Sequence, residues 1–434
     1  MDIVTPTKPR RPAIGRPVAV EGACALGDMA LALLSERGEA SGVALARQIL
    51  EAYAAFDAEA RLDFLHILAE RFGPDPTRLS AAIEAYRANP GPRASTELFA
   101  AAEPPRQELI RRLNLAPGGT AYLVRMREDV LKAMKKHAAL VAVDNDFSHL
   151  LSSWFNRGFL EIRRIDWTTP AHILEKVIRY EAVHEIASWG DLQRRLEPPD
   201  RRCFAFFHPA LADEPLIFVE VALTTTVPDS IAPLLAEGRR PIAPHRARTA
   251  VFYSISNCQD GLKGVSFGNF LIKQVAEELK RELPSLRTFI TLSPVPGFSA
   301  WLEGERKAPS SAVLRASDRK ALEALDRPRW SDDPAATKRA RPALQSAIAH
   351  YFLRTKNGSG KPLDPVARFH LGNGARLERI NWMGDASPKG LRQGAGFMVN
   401  YRYDLAQVEP NHEAYANRGE VVTSQGVKRM ERPR

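Results

Sequence analysis

TAVFYSISNCQDGLKGVSFGNFLIKQVAEELKRELPSLRTFITL, residues 249–292, decides the fold of this chain. Thr249 to Ser256 is a short apolar run rich in aromatic and β-branched residues, the composition of a strand. A glycine-containing loop, Gly261 to Gly268, follows it. From Phe270 to Leu283 the residues Leu271, Val275 and Leu279 recur at helical spacing, and Pro284 stops the helix. Arg287 to Leu292 reads as the next strand. Strand, loop, helix and strand make a β-α-β unit, so this part of the chain is α/β.

Working upstream, Cys203–Phe207 and Leu216–Leu223 are further short apolar runs bounded by turn residues, and Ile173, Val177 and Tyr180 mark a helix before them. The character changes near Trp167-Thr168-Thr169-Pro170. Residues 25 to about 160 read helical: Leu45, Ile49, Tyr53 and Phe56 share one face, as do Leu62, Leu65, Ala69 and Phe72, with Asp57 placed to cap the second helix. Proline–glycine clusters at 73–76, 89–92, 103–105 and 117–119 punctuate that half. Downstream, a charged region from Trp301 to Lys356 carries helical stretches around Leu322 and Tyr351. There is no internal repeat. The expected fold class is α+β multidomain: a basic, proline-rich tail over residues 1–20, an all-α helical bundle over 21–161, and an α/β domain over 162–434.

Composition narrows the function. The 434 residues, 44% hydrophobic and 26% charged, suffice for two or three packed domains. No run approaches the roughly 20 apolar residues of a membrane span, so no membrane partner is expected. Three cysteines, Cys24, Cys203 and Cys258, have neither metal spacing nor an even count, which suits the reducing cytoplasm. The net charge of +10 comes from 61 basic residues dispersed among 51 acidic ones, without the aromatic-interleaved stripe of a nucleic-acid binder. Surface and tails account for most of the surplus, and an anionic metabolite is its natural partner.

Three segments carry candidate chemistry. Gln259 to Asn269 lies between a strand and a helix; its glycines permit close backbone approach, and a helix start offers free N–H groups to an anion such as a pyrophosphate. It lacks the ending of a P-loop and the spacing of a dinucleotide fingerprint, and a purely structural turn reads equally well. Thr291-Leu292-Ser293-Pro294-Val295-Pro296 puts Ser293 at a strand end with a proline-stiffened exit, a place where a hydroxyl is held in one direction, although a turn serine reads as well. There is no GxSxG elbow. His370 precedes Gly372-Asn373-Gly374 among apolar neighbours, where it is either a satisfied core group or a proton carrier. The histidines form no HxH or HExxH pair, so no metal is expected.

Taken together, SISNCQDGLKGVSFGNFLIK (254–273), TLSPVPGFSAWL (291–302), DPVARFHLGNGARLERINWM (364–383) and GFMVNYRY (396–403) resemble the malonyl-CoA decarboxylase family, in that order. The resemblance extends back through RRCFAFFHP, YEAVHEIASW and RRIDWTTPAHILEKV, covering residues 150 to 410 strongly and the helical half more loosely. It implies a helical oligomerisation domain giving a homo-oligomer, dimer or tetramer, and a catalytic domain of the N-acetyltransferase-like (GNAT) fold. It also implies conversion of malonyl-CoA to acetyl-CoA and carbon dioxide with no cofactor beyond the coenzyme A of the substrate. Its catalytic serine matches Ser293, its catalytic histidine His370, and a tyrosine of its active-site surroundings Tyr403. Its coenzyme A loop matches Lys263, Gly264, Val265, Ser266, Phe267, Gly268 and Asn269. Family members can carry a glutamate where this chain has Ser266, so no role of that glutamate transfers. A rival reading on the same fold, an acyl-CoA-dependent acyltransferase, has no need of the Ser293–His370 pair. A basic nucleic-acid-binding protein would instead show steep salt dependence and no turnover.

Overall fold

The computed structural model describes residues 21–35, 38–155, 157–265, 271–327 and 329–431. The expected tail, residues 1–20, lies outside the described residues. Two compact units emerge, one from residues up to Trp154 together with Asp260–Val265, the other from Phe155–Gln259 and the remainder.

The first unit is helical: Gly22–Leu34, Glu39–Ala55, Ala58–Arg71, Pro76–Ala88, Pro92–Ala102, Pro105–Asn114, Gly119–Ala133 and Leu140–Trp154. Of the predicted helical faces, Ile49, Tyr53, Leu65 and Phe72 are buried in its core while Leu45, Phe56, Leu62 and Ala69 are half-buried, and Asp57 caps its helix by accepting from the Ala60 N–H. Pro76, Pro92 and Pro105, which read as breaks, each open a helix, because the first helical position needs no N–H. Two arginines are buried with partners: Arg106 on Asp146 and Arg127 on Asp144. Arg127 also donates to the Gly261 carbonyl (2.8 Å). A Cβ on Gly261 would stand 1.9 Å from the Val124 carbonyl oxygen. Its glycine is therefore required by packing against the 119–133 helix, not by a ligand.

The second unit is built on one mixed sheet of eight strands among the described residues: β1 (Glu161–Ile165), β2 (Arg201–Phe207), β3 (Ile217–Thr224), β4 (Thr249–Asn257), β5 (Thr288–Thr291), β6 (Ser293–Pro294), β7 (Arg376–Asn381) and β8 (Met398–Arg402). Strands β1 to β4 are antiparallel neighbours. The β4–β5 pair is parallel, joined by the Leu271–Glu282 helix as the β-α-β reading requires. Strand β8 then pairs with β5, β6 and β7. The whole chain is thus α+β, a helical region followed by a mixed sheet. Strands β1, β7 and β8 and the Phe298–Lys307 helix were not anticipated from the sequence.

Register explains where a cleft opens. The β4–β5 ladder stops at Phe252↔Thr291, yet β4 runs on to Asn257. Beyond that point β5 gives way to β6, which pairs with β8 instead. The two halves of the sheet part, and backbone groups of β4 face a gap.

Candidate active site

That gap is a cleft of about 250 Å³ lined by Phe252, Tyr253, Ile255 and Asn257 from β4, Ser293 and Pro294 from β6, and Pro365, Val366, Phe369 and His370. His370 sits in the last turn of the Pro365–Gly372 helix. Asp364 fixes that helix by accepting from the Ala367 N–H (2.8 Å), and the Tyr351 hydroxyl donates to the same carboxylate (3.3 Å). Burial pushes the Asp364 carboxyl up to about 6.

The His370 ring is held on three sides. Tyr401 stacks on it, centroids 4.5 Å apart and 25° from parallel. Nε2 lies 3.0 Å from Ser293 Oγ, and Nδ1 lies 2.8 Å from the Tyr403 hydroxyl. Ser293 donates to Thr291 Oγ1 (2.9 Å), which also accepts the Tyr401 N–H (3.0 Å). Because the serine proton is directed at Thr291, the Nε2–Oγ contact needs its proton from the ring. Nδ1 is then bare and accepts from Tyr403. Three hydroxyls thereby select the Nε2–H tautomer. Burial alone depresses the His370 pKa to about 3, so the ring is neutral at physiological pH. Burial likewise raises the Tyr403 phenol, which stays protonated. Among the described residues no carboxylate contacts the ring, and its third partner is a phenol.

The structure thus brings Ser293, His370 and Tyr403 together, although Tyr403 reaches the ring and is not among the residues lining the cleft. Ser293 belongs to a short strand of its own and not to the end of the preceding one. Thr291 and Tyr401 were not singled out from sequence; the Thr291/Ser293 spacing of two, which puts both side chains on one face of an extended chain, was the available signal. Of the loop, Lys263 and Gly264 are exposed and Val265 is buried. Gly264 has a φ of 82°, the left-handed region, with nothing within 4 Å of a Cβ position. Ser266, Phe267, Gly268 and Asn269 lie outside the described residues. Among the described residues no group of three His, Cys, Asp or Glu side chains could hold a metal, no helix is long and apolar enough to cross a membrane, and all three cysteines are free.

A cleft in a splayed mixed sheet, with a buried serine–histidine pair at its opening, has the form of an enzyme's site. Residues 158–434 match the malonyl-CoA decarboxylase C-terminal domain, and residues 72–155 match the N-terminal domain of the same family. The crystal structure of malonyl-CoA decarboxylase from Rhodopseudomonas palustris is 60% identical, with a TM-score of 0.92 over 94% of this chain and 100% of that one. That from Agrobacterium vitis is 56% identical, with a TM-score of 0.89 over the same shares. The mitochondrial malonyl-CoA decarboxylase of Anser anser anser is 35% identical over 85% of this chain and 79% of its own length. The chain belongs to the malonyl-CoA decarboxylase family.

Proposed function

We propose that this chain converts malonyl-CoA to acetyl-CoA and carbon dioxide without a metal or organic cofactor, His370 supplying the proton and Ser293 orienting the malonyl group. Family membership supports the reaction, and the 3.0 Å contact between Ser293 Oγ and His370 Nε2 at the cleft carries the assignment of roles.

The substrate brings its own electron sink. Loss of carbon dioxide leaves a carbanion beside a thioester, whose carbonyl takes the charge as an enolate. Three tasks remain for the protein: to stabilise the oxyanion, to hold the carboxylate out of the carbonyl plane, and to deliver a proton. A preorganised donor at the oxyanion is worth about 3 kcal/mol. Among the described residues the cleft lining contains no lysine or arginine, so a carboxylate placed against them is poorly solvated, and its charge gains by moving to the thioester oxygen. The carbanion is a stronger base than an alkoxide or imidazolate, so a neutral ring can serve as the proton source. The His370 Nε2 proton reaches carbon along the Nε2–Oγ contact: the oriented serine hydroxyl turns from Thr291 and hands its proton to carbon as it takes the ring's, and the imidazolate is reprotonated from water after product leaves. Tyr403, whose hydroxyl meets His370 Nδ1, acts as a positioning residue. The exposed Lys263 and the left-handed Gly264 suit a loop through Asn269 whose backbone N–H groups hold the coenzyme A pyrophosphate.

The protein is further proposed to work as a cytoplasmic homo-oligomer, dimer or tetramer. Free cysteines fit a reducing compartment. The Phe99 side chain, 74% exposed on the Pro92–Ala102 helix, fits a surface that a second copy covers. The deciding experiment is steady-state decarboxylation by His370→Ala with malonyl-CoA, alongside coenzyme A binding. Turnover is expected to fall by about two to four orders of magnitude with coenzyme A affinity retained; near-normal turnover removes the histidine from the reaction.

A further inference from the structure

Away from the cleft, a second cavity of about 210 Å³ is lined by four arginines, Arg194, Arg195, Arg201 and Arg239, against two carboxylates, Asp191 and Glu237. Arg195 and Arg201 are 5% and 3% exposed. Cations that deep need counter-charge; Asp191 supplies part of it, 3.4 Å from Arg195 and 3.5 Å from Arg194. Asp200 is engaged bidentately by Arg239 (2.8 and 2.9 Å) and by the Ile242 N–H. That leaves it 3.5 Å from Arg201. Arg201 spends its other donors on backbone carbonyls of Asp200 and Leu234. Its pKa is lowered by burial, the mark of a guanidinium short of negative charge. Glu237, the 3.0 Å partner of Arg194, is 80% exposed and screened. Behind Arg195 stands Glu220 at 3.2 Å, but burial, with the Glu181 carboxylate nearby, pushes the Glu220 carboxyl up to about 8. Arg195 also keeps its Nε–H buried without an acceptor, as does Arg194.

We infer that this cavity is an anion-binding site, separate from the acyl cleft, for a small multi-oxygen anion of the phosphate or di- or tricarboxylate class. Guanidinium forks match the paired oxygens of both groups. The volume is below the range of typical ligand pockets, which admits a small anion and not a nucleotide. The inference does not rest on the proposed decarboxylation, because its test reads binding alone.

The test is calorimetric titration of the full-length protein with inorganic phosphate and, separately, with succinate, at fixed pH and ionic strength. Saturable binding of at least one is expected, the tighter of the two naming the ligand's chemistry. Arg239→Gln should weaken it tenfold or more. Arg194→Gln, whose side chain is 42% exposed, should weaken it severalfold and decides the matter if Arg239→Gln fails to fold. Lys263→Gln should leave the binding unchanged. Absence of saturable binding by either anion overturns the inference. So does binding that survives Arg194→Gln and Arg239→Gln intact, or a loss confined to Lys263→Gln, which would place the anion at the coenzyme A loop.

Discussion

Replacing Tyr403 by phenylalanine removes one oxygen atom and tests the hydrogen-bond order that the whole reading of the site depends on. The phenol hydroxyl is the 2.8 Å partner of His370 Nδ1, and the ring around it is 2% exposed. Without it the Nδ1 lone pair is buried with no donor, a cost of about 1–3 kcal/mol. That cost falls on the tautomer carrying its proton on Nε2, the one directed at Ser293. A penalty of that size corresponds to roughly a 5- to 150-fold smaller share of the productive tautomer. Because Tyr403 is not among the residues lining the cleft, substrate binding should change little. The expected result is therefore a kcat lower by about ten- to a hundredfold with KM within about twofold, measured as acetyl-CoA formation from malonyl-CoA. A second readout separates positioning from general destabilisation: the imidazole nitrogen chemical shifts of His370 should report Nε2–H in the wild type and a mixture in the variant. A kcat unchanged within about twofold, or shifts identical in both proteins, would refute the tautomer argument.

Two further outcomes follow from burial and packing. A His370 pKa held near 3, against an ordinary value near 6.5, means that the unfolded chain binds the extra proton across that window. The stability this group contributes is therefore complete above about pH 6.5 and is lost as pH falls towards 3, with a slope of at most about 1.4 kcal/mol per pH unit. Urea unfolding from pH 7.5 to 4.5 should show His370→Gln with a shallower dependence than wild type; parallel curves would count against the burial argument. Gly261→Ala places a methyl 1.9 Å from the Val124 carbonyl oxygen, so backbone must shift, and a loss of about 1–3 kcal/mol or more is expected in denaturant melts. An unchanged midpoint would mean that the 260–265 segment does not pack on the 119–133 helix as described.

What the sequence made legible, and what it did not, divides along a physical line. Periodicity marks elements with a buried face, so the helices bearing Leu45 to Phe56 and Leu62 to Phe72 and the strands β2, β3 and β4 were readable. Every residue of β2 is buried, and its Cys203–Phe207 portion is a continuous apolar run. Strand β1, Glu-Ile-Arg-Arg-Ile, is an edge strand with three exposed positions, and β7 carries charges at alternate positions; neither has the apolar signal on which strand reading rests. The Asp364-Pro365 pair, a capping residue followed by a first-position proline, is the sequence signal of the helix that presents His370, but it was not read as one. Nothing local announces that this helix ends beside Ser293, 77 positions away.

That proximity is a property of topology. Strand β8 enters the sheet beside β5 and β6 although it comes last in the chain, and it carries Tyr401 to the face of the imidazole, with Tyr403 just beyond it reaching Nδ1. The alternation along this extended stretch puts both tyrosines on one side. Their roles are nevertheless different: Tyr401 covers the ring face and excludes water, while Tyr403 selects the tautomer. A strand of five residues therefore does two things that the catalytic pair cannot do for itself. The same strand holds β6 beyond the end of the β4–β5 ladder, where the cleft opens. Positioning the proton donor and making room for the acyl group are consequences of one strand exchange, and so a disruption of β8 is expected to abolish turnover even where Ser293 and His370 are both intact.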